Sequence, residues 1–248
     1  MSLDLAVIWA ICTALIAGVT RGFSGFGGAL IFVPLISALF GPKVAAPTLL
    51  VVDTLMTLPF LLPALRACIW REVAPLAVGA VVTVPAGVWV LQHTDPLVLR
   101  WGLASLGLGL LLLLVSGWRH TGRHSLPATL GVGAVAGFCG GAAQMSGPAV
   151  VAYWLGSGQP SVLVRANLFG FFALATLASA ISYAASGMFT AEVGQLSLVL
   201  GPAYALGLYA GARAFRGASD RTYRVAAYWV IATAALLSLP LFDTLLGR

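Results

Sequence analysis

Apolar residues run from one end of this 248-residue chain to the other, interrupted only by short turns, and no polar block is long enough to cover a soluble surface. Hydrophobic residues make up 60% of the chain and charged ones 8%, where a soluble domain carries roughly 25% charged. The solvent around most of the chain is therefore lipid. Lipid offers no hydrogen-bond partners to the backbone, so the expected fold class is an all-α integral membrane protein. With no Ser/Gly-rich linker, a single membrane domain is the simplest organisation. The net charge of +6 does not point to nucleic acid, because the arginines cluster in short loops as the positive-inside bias requires.

A span takes about 20 apolar residues at 1.5 Å each. Runs of that length cover 45–65, 73–91, 97–115, 162–185, 193–212 and 225–245. Two other regions are apolar but interrupted. In 5–40 the stretch RGFSGFGG (21–28) separates two shorter runs, and in 126–155 the stretch CGGAAQMSG (139–147) does the same. Short apolar runs of this kind are more often re-entrant than spanning, and glycine permits the turn.

Loop charge tests that reading. If each broken region returns to the face it came from, Arg66, Arg71, Arg119, Arg123, Arg165, Arg213, Arg216, Arg221 and Arg224 share one face. Lys43, Arg100 and Arg248 are left on the other, with Arg21 at a hairpin tip. If each broken region crosses once, the basic residues divide almost evenly. The returning hairpins thus obey the positive-inside rule, which sets the arginine-rich face in the cytoplasm and both termini outside it. The chain then divides into a first repeat, 1–125, and a second, 126–248, each a glycine-broken helical hairpin plus three transmembrane helices. The odd number of crossings inverts the second repeat, which is the layout of secondary transporters built from inverted repeats. One constant offset superposes Gly27 on Gly141, Pro34 on Pro148 and Asp53 on Asn167.

GFSGFGGALIFVP (22–34) followed by GFCGGAAQMSGP (137–148) resembles the paired glycine-rich signatures of the TauE/SafE family, the sulfite exporter or toluenesulfonate uptake permeases. Nearly the whole chain shares the resemblance. It implies a prokaryotic-type inner-membrane transporter, with export the implied direction, for sulfite, an organosulfonate such as sulfoacetate, or a related small anion. A third consecutive glycine usually closes the family's first signature; Ala29 stands there. The second signature is more polar than usual, with Gln144 and Ser146 in its core.

The chemistry of such tips follows from backbone geometry. A helix starting at a glycine turn leaves up to four N–H groups unpaired and carries partial positive charge. Glycines at 25, 27 and 28 and at 140 and 141 would let an anion approach that backbone closely. Ser24, Gln144 and Ser146 can donate hydrogen bonds to it or satisfy local turns, and Arg21 can supply a full charge or snorkel to the surface. Asp53, midway along an apolar span, has to face protein or water. It is a candidate for proton coupling, for holding the tip loops, or for a helix tether. Asn167 could bridge helices or contact substrate, and Arg165 could anchor the cytoplasmic face or guide anions.

Other features read as structural. Trp70, Trp101, Trp118 and Tyr223 fall near span ends and fit an aromatic belt. Gly102, Gly107 and Gly109 suit close helix packing. Cys12, Cys68 and Cys139 fit no metal or disulfide pattern and read as buried thiols. With no hydrolase motif and no metal spacing, His93, His120 and His124 included, the sequence predicts neither an enzyme nor a cofactor. The predicted partners are a small anion and the bilayer, and a homo-oligomer is compatible with the sequence. A passive anion channel, or an uptake permease for another sulfur-containing or carboxylate anion, would use the same tips.

Overall fold

The computed structural model describes residues 3–95, 97–98, 101, 105, 125–156, 158–223, 225–226 and 229. Among them every regular element is a helix: α1 (Leu3–Ser24), α2 (Gly28–Phe40), α3 (Pro42–Ala67), α4 (Trp70–His93), α5 (Leu126–Ala143), α6 (Gly147–Gly156), α7 (Ser161–Ala185) and α8 (Ala191–Phe215). Six of these, α1, α3, α4, α5, α7 and α8, are long and apolar enough to cross a membrane. The protein is therefore an all-α, multi-pass membrane protein. The expected spans over 97–115 and 225–245 lie almost entirely outside the described residues, as do Trp118, His120, His124 and Gly102, Gly107 and Gly109.

Local chemistry sets the boundaries. Gly41, at φ 82°, ends α2 and returns its N–H to Ser37 O at 2.9 Å, and Pro42 then opens α3, where its missing N–H costs nothing. Ser125 caps α5 by accepting from Ala128 N, and Thr190 caps α8 by accepting from Val193 N. The first residue of α7 is held by Asp220, which accepts from Ser161 N at 3.0 Å and from the Ser161 hydroxyl.

Both broken regions are hairpins that double back. After α1 the chain turns at Gly25 (φ 78°) and Gly27 (φ 87°), and Gly28 already lies alongside Ala17: a Cβ there would sit 3.2 Å from Ala17 O. In the second hairpin Tyr153, late in α6, meets Thr129, early in α5, hydroxyl to hydroxyl at 2.9 Å. The arms are unequal: 22 and 13 residues in the first hairpin, 18 and 10 in the second. The first arm is longer than the sequence suggests, because the helix runs on through Arg21 and Gly22 to Ser24.

Lipid is as apolar as a leucine side chain, so helices associate through close packing rather than hydrophobic burial. The two most extensive contacts, α1 with α8 and α4 with α5, are parallel and backbone-close. A Cβ on Gly22 would be 2.0 Å from Leu208 O, on Gly211 2.1 Å from Val19 O, and on Gly137 2.2 Å from Ala80 O. The pattern is reciprocal: the long arm of each hairpin packs on the fourth helix of the other half, and the next contacts, α4 with α7 and α8 with α3, exchange in the same way.

Contacts between helix ends sort the charged loops. Cys68, between α3 and α4, abuts Gly170 of α7, and Glu72 of α4 bonds Gln159 and Asn167 at the start of α7. The end of α8 meets the same place, since Arg165 lies over the Phe215 ring. Arg66, Arg71, Arg213, Arg216 and Arg221 thus belong to one end of the bundle. Lys43 bonds Gln92 O at the other. Cysteines introduced singly at Arg66 and Arg221 are expected to react with an impermeant maleimide from the same side of sealed vesicles. Labelling from opposite sides would refute the returning hairpins.

Two expectations are corrected here. Tyr223 is no belt residue: it is fully buried and donates its hydroxyl to Ser24 O at 2.7 Å. Cys12 is exposed on α1 rather than buried, while Cys68 and Cys139 are buried.

Candidate functional site

The two breaks meet. Phe26 of the first tip lies against Gly147 of the second, whose Cβ would be 3.3 Å from Phe26 Cδ2. Between them is a cavity of about 40 Å³, reached by Gly27, Gly28 and Ala29 at the start of α2 and by Gln144, Ser146 and Gly147 at the start of α6. Asp53 of α3 and Phe172, Thr176 and Ser179 of α7 complete its wall. These residues fall in the middle of two helices of 26 and 25 residues, so the cavity is central to the bundle's length. Both helix starts carry partial positive charge at this place.

Arg21 and Asp53 pair at its edge. Arg21 Nε donates to Asp53 Oδ1 at 2.8 Å and Nη2 donates to Oδ2 at 3.0 Å, a two-pronged arrangement that fixes both groups. Tyr204 of α8 donates its hydroxyl to Oδ1 at 2.6 Å. Arg21 Nη1 donates to Gly25 O, tying the pair to the first tip, and the guanidinium lies over Phe172 and Phe169, 4.7 and 5.0 Å from the ring centroids. The side chains are 7% and 20% exposed, which is why two charges can persist here only as a pair. A wider apolar cleft of about 440 Å³ runs between α3 and α7. Arg21, Leu50, Asp53, Phe172 and Thr176 line both spaces, so the ion pair stands at their partition.

Of the residues singled out in the sequence, Arg21, Gly27, Gly28, Asp53, Gln144 and Ser146 come together around this cavity. Ser24 lies just behind the first tip, its hydroxyl within hydrogen-bond distance of Thr20 O and Phe26 O as alternative acceptors. Gly25 makes room for Arg165, whose Cγ would be 2.9 Å from a Cβ there. Gly140 faces Ser146 Oγ, and Gly141 packs on Val84 O. Gln144 takes the left-handed conformation that ends α5, φ 57°, and donates to Gly140 O and Tyr183 OH. Asn167 does not line the cavity: it accepts from Ile69 N at 2.8 Å and donates to Glu72, joining α7 to the α3–α4 turn.

Tyr204, Phe169, Phe172, Thr176 and Ser179 were not foreseen. Tyr204 had one usable signal, a phenol hydroxyl within an apolar span that needs a buried partner. The aromatic and small residues of α7 had none.

A family model described as Sulfite exporter TauE/SafE matches residues 10–238, nearly the whole chain. No curated protein and no solved structure matches it.

Proposed function

The chain belongs to the sulfite exporter TauE/SafE family, and from that premise we propose that it is a secondary transporter that binds a small oxyanion, sulfite or a compact organosulfonate, between its two hairpin tips. The observation that carries this reading is the central cavity, where two helix starts and a buried Arg–Asp pair converge. A water needs roughly 10–15 Å³ of such space, so the cavity takes a few waters or one small oxyanion. Bulky aromatic sulfonates would not enter this conformation.

The resting site is neutral, since Asp53 already occupies two donors of Arg21. An anion has to displace Asp53 or arrive with a proton for it. Protonation removes the charge that holds Arg21, freeing the guanidinium for substrate while the Tyr204 hydroxyl stays beside the carboxyl. Proton binding at Asp53 and anion binding at Arg21 therefore favour one another, which is the linkage a coupled transporter uses. Ser146 and Gln144 would donate to substrate oxygens, with the backbone N–H groups after Gly27 and Ser146. Of the remaining tip residues, Ser24 and Gly25 shape the first turn, while Gly140 and Gly141 let Ser146 and α4 lie close against the end of α5.

The reciprocal contacts of the two halves support an inverted-repeat mechanism, in which one half rocks against the other about the central site. Export follows the family's description, and the positive-inside rule makes the arginine-rich face cytoplasmic and both termini outside, across a cell inner membrane.

Purified protein in sealed vesicles should move sulfite saturably, respond to an imposed pH difference or voltage, and discriminate among sulfoacetate, taurine, sulfate, thiosulfate and carboxylates. Unselective flux that only dissipates a gradient would mark a channel. No flux of any of these anions would end the transport proposal.

A further inference from the structure

Arg165 carries a charge that no carboxylate among the described residues neutralises; there, Arg21–Asp53 is the ion pair. The side chain does not extend to the surface as an anchor would. It is wedged inward: Nη2 donates to Gly22 O at 2.7 Å, and the guanidinium lies 4.5 Å from the Phe215 ring centroid and 5.3 Å from that of Phe169. Its Nε is buried and has no hydrogen-bond partner among the described residues. A partly buried cation with an idle donor can take one further acceptor, and an anion suits it best.

Its place gives that anion a route. Arg165 sits early in α7, at the end of the bundle that bears Arg66, Arg71, Arg213 and Arg216, so anions are concentrated there. Arg21 and Arg165 lie over the same Phe169 ring, at 5.0 and 5.3 Å from its centroid. Gly25 at the first tip is the residue that lets Arg165 reach this position. The two arginines differ in one respect: Arg21 is occupied by Asp53, while Arg165 is not.

We infer that Arg165 is a second anion site, which takes a small oxyanion from the arginine-rich face and passes it by Phe169 to Arg21. This rests on the transport reading. The ligand class is an oxyanion with at least two acceptor oxygens, because the planar guanidinium presents Nε and Nη donors as a fork and a lone halide would use only one.

The test compares wild type, Arg165→Gln and Arg165→Lys in oriented vesicles, with sulfite supplied to one face at a time. Losing a charge-assisted contact is expected to raise KM about tenfold for sulfite at the Arg66 face with saturated flux from that face within about twofold; from the opposite face KM stays within about twofold and saturated flux falls about tenfold, as detailed balance requires. Lysine, which keeps the charge and loses the fork, should fall between. Thermal unfolding in detergent confirms that each variant is folded, and lysine carries the test if glutamine is not. An unchanged KM, or an equal rise on both faces, overturns the second site while wild-type flux leaves the transporter standing. If wild type moves no anion, the transport reading fails, and sulfite binding decides. Sulfite that raises the unfolding temperature of wild type more than that of Arg165→Gln supports the site. An equal rise in both, or none in either, refutes it.

Discussion

Asp53→Leu is expected to destabilise the protein by about 3–5 kcal/mol, because it leaves the Arg21 guanidinium buried without its counter-charge. Arg21→Met should cost less, since the orphaned Asp53 is the more exposed partner, retains Tyr204 as a donor and can take up a proton. The double variant, Arg21→Met with Asp53→Leu, replaces both charges by apolar groups of similar length. It should recover most of the loss, as substituted ion pairs often do. All three should abolish transport if the pair belongs to the substrate site. Thermal and denaturant unfolding in detergent, with vesicle flux alongside, gives both results. A double variant that transports normally would reduce the pair to a helix tether. A double variant as unstable as Asp53→Leu would show that the cost arises from packing rather than charge.

Gly137→Val should prevent stable assembly of α4 with α5. Any Cβ at 137 meets Ala80 O at 2.2 Å, Ala80 Cα at 2.4 Å and Ala80 C at 2.6 Å, and all three atoms are backbone. No side chain can rotate away, so the helices have to separate along their length. The loss should reach or exceed the upper end of the roughly 1–3 kcal/mol typical of overpacking. Even Gly137→Ala should be damaging. Gly131 and Gly194, where a Cβ meets nothing within 4 Å, provide the contrast. Alanine there should be neutral or stabilising by up to about 1 kcal/mol, through helix propensity. Membrane yield and unfolding temperature distinguish the two classes. Equal tolerance at 131 and 137 would contradict the backbone-close packing.

Much of the architecture was legible because it depends on near neighbours in the chain. Uninterrupted apolar runs marked α3, α4, α7 and α8, and clustered glycines marked both breaks: at the first because the left-handed turns at Gly25 and Gly27 are strained for side chains, at the second because Gly140 and Gly141 make room for Ser146 and Val84 beside the left-handed Gln144. A single glycine was less informative. Gly22 stays helical because it is packed against Leu208 O, so α1 outruns its apolar stretch. The repeat offset matches Asn167 to Asp53, but of the two roles the sequence left open Asn167 takes the helix bridge: it sits near the start of α7 and serves the Glu72 joint, whereas Asp53 reaches the centre. A shared element order in two halves does not oblige matched positions to share a depth.

The sparse charge was enough to say that lipid surrounds this chain, that its segments are helices, and that an aspartate halfway along one of them needs a partner. Which partner it takes is a matter of which helices touch. Asp53 meets Arg21 across 32 positions of sequence and Tyr204 across 151, brought within reach because glycines let α1 lie directly on α8. Solvent preference is a property of each segment alone and is written along the chain. The pairing of charges depends on contacts between distant segments, so only the folded bundle could reveal that Arg21 has a carboxylate partner and that Arg165 has none among the described residues.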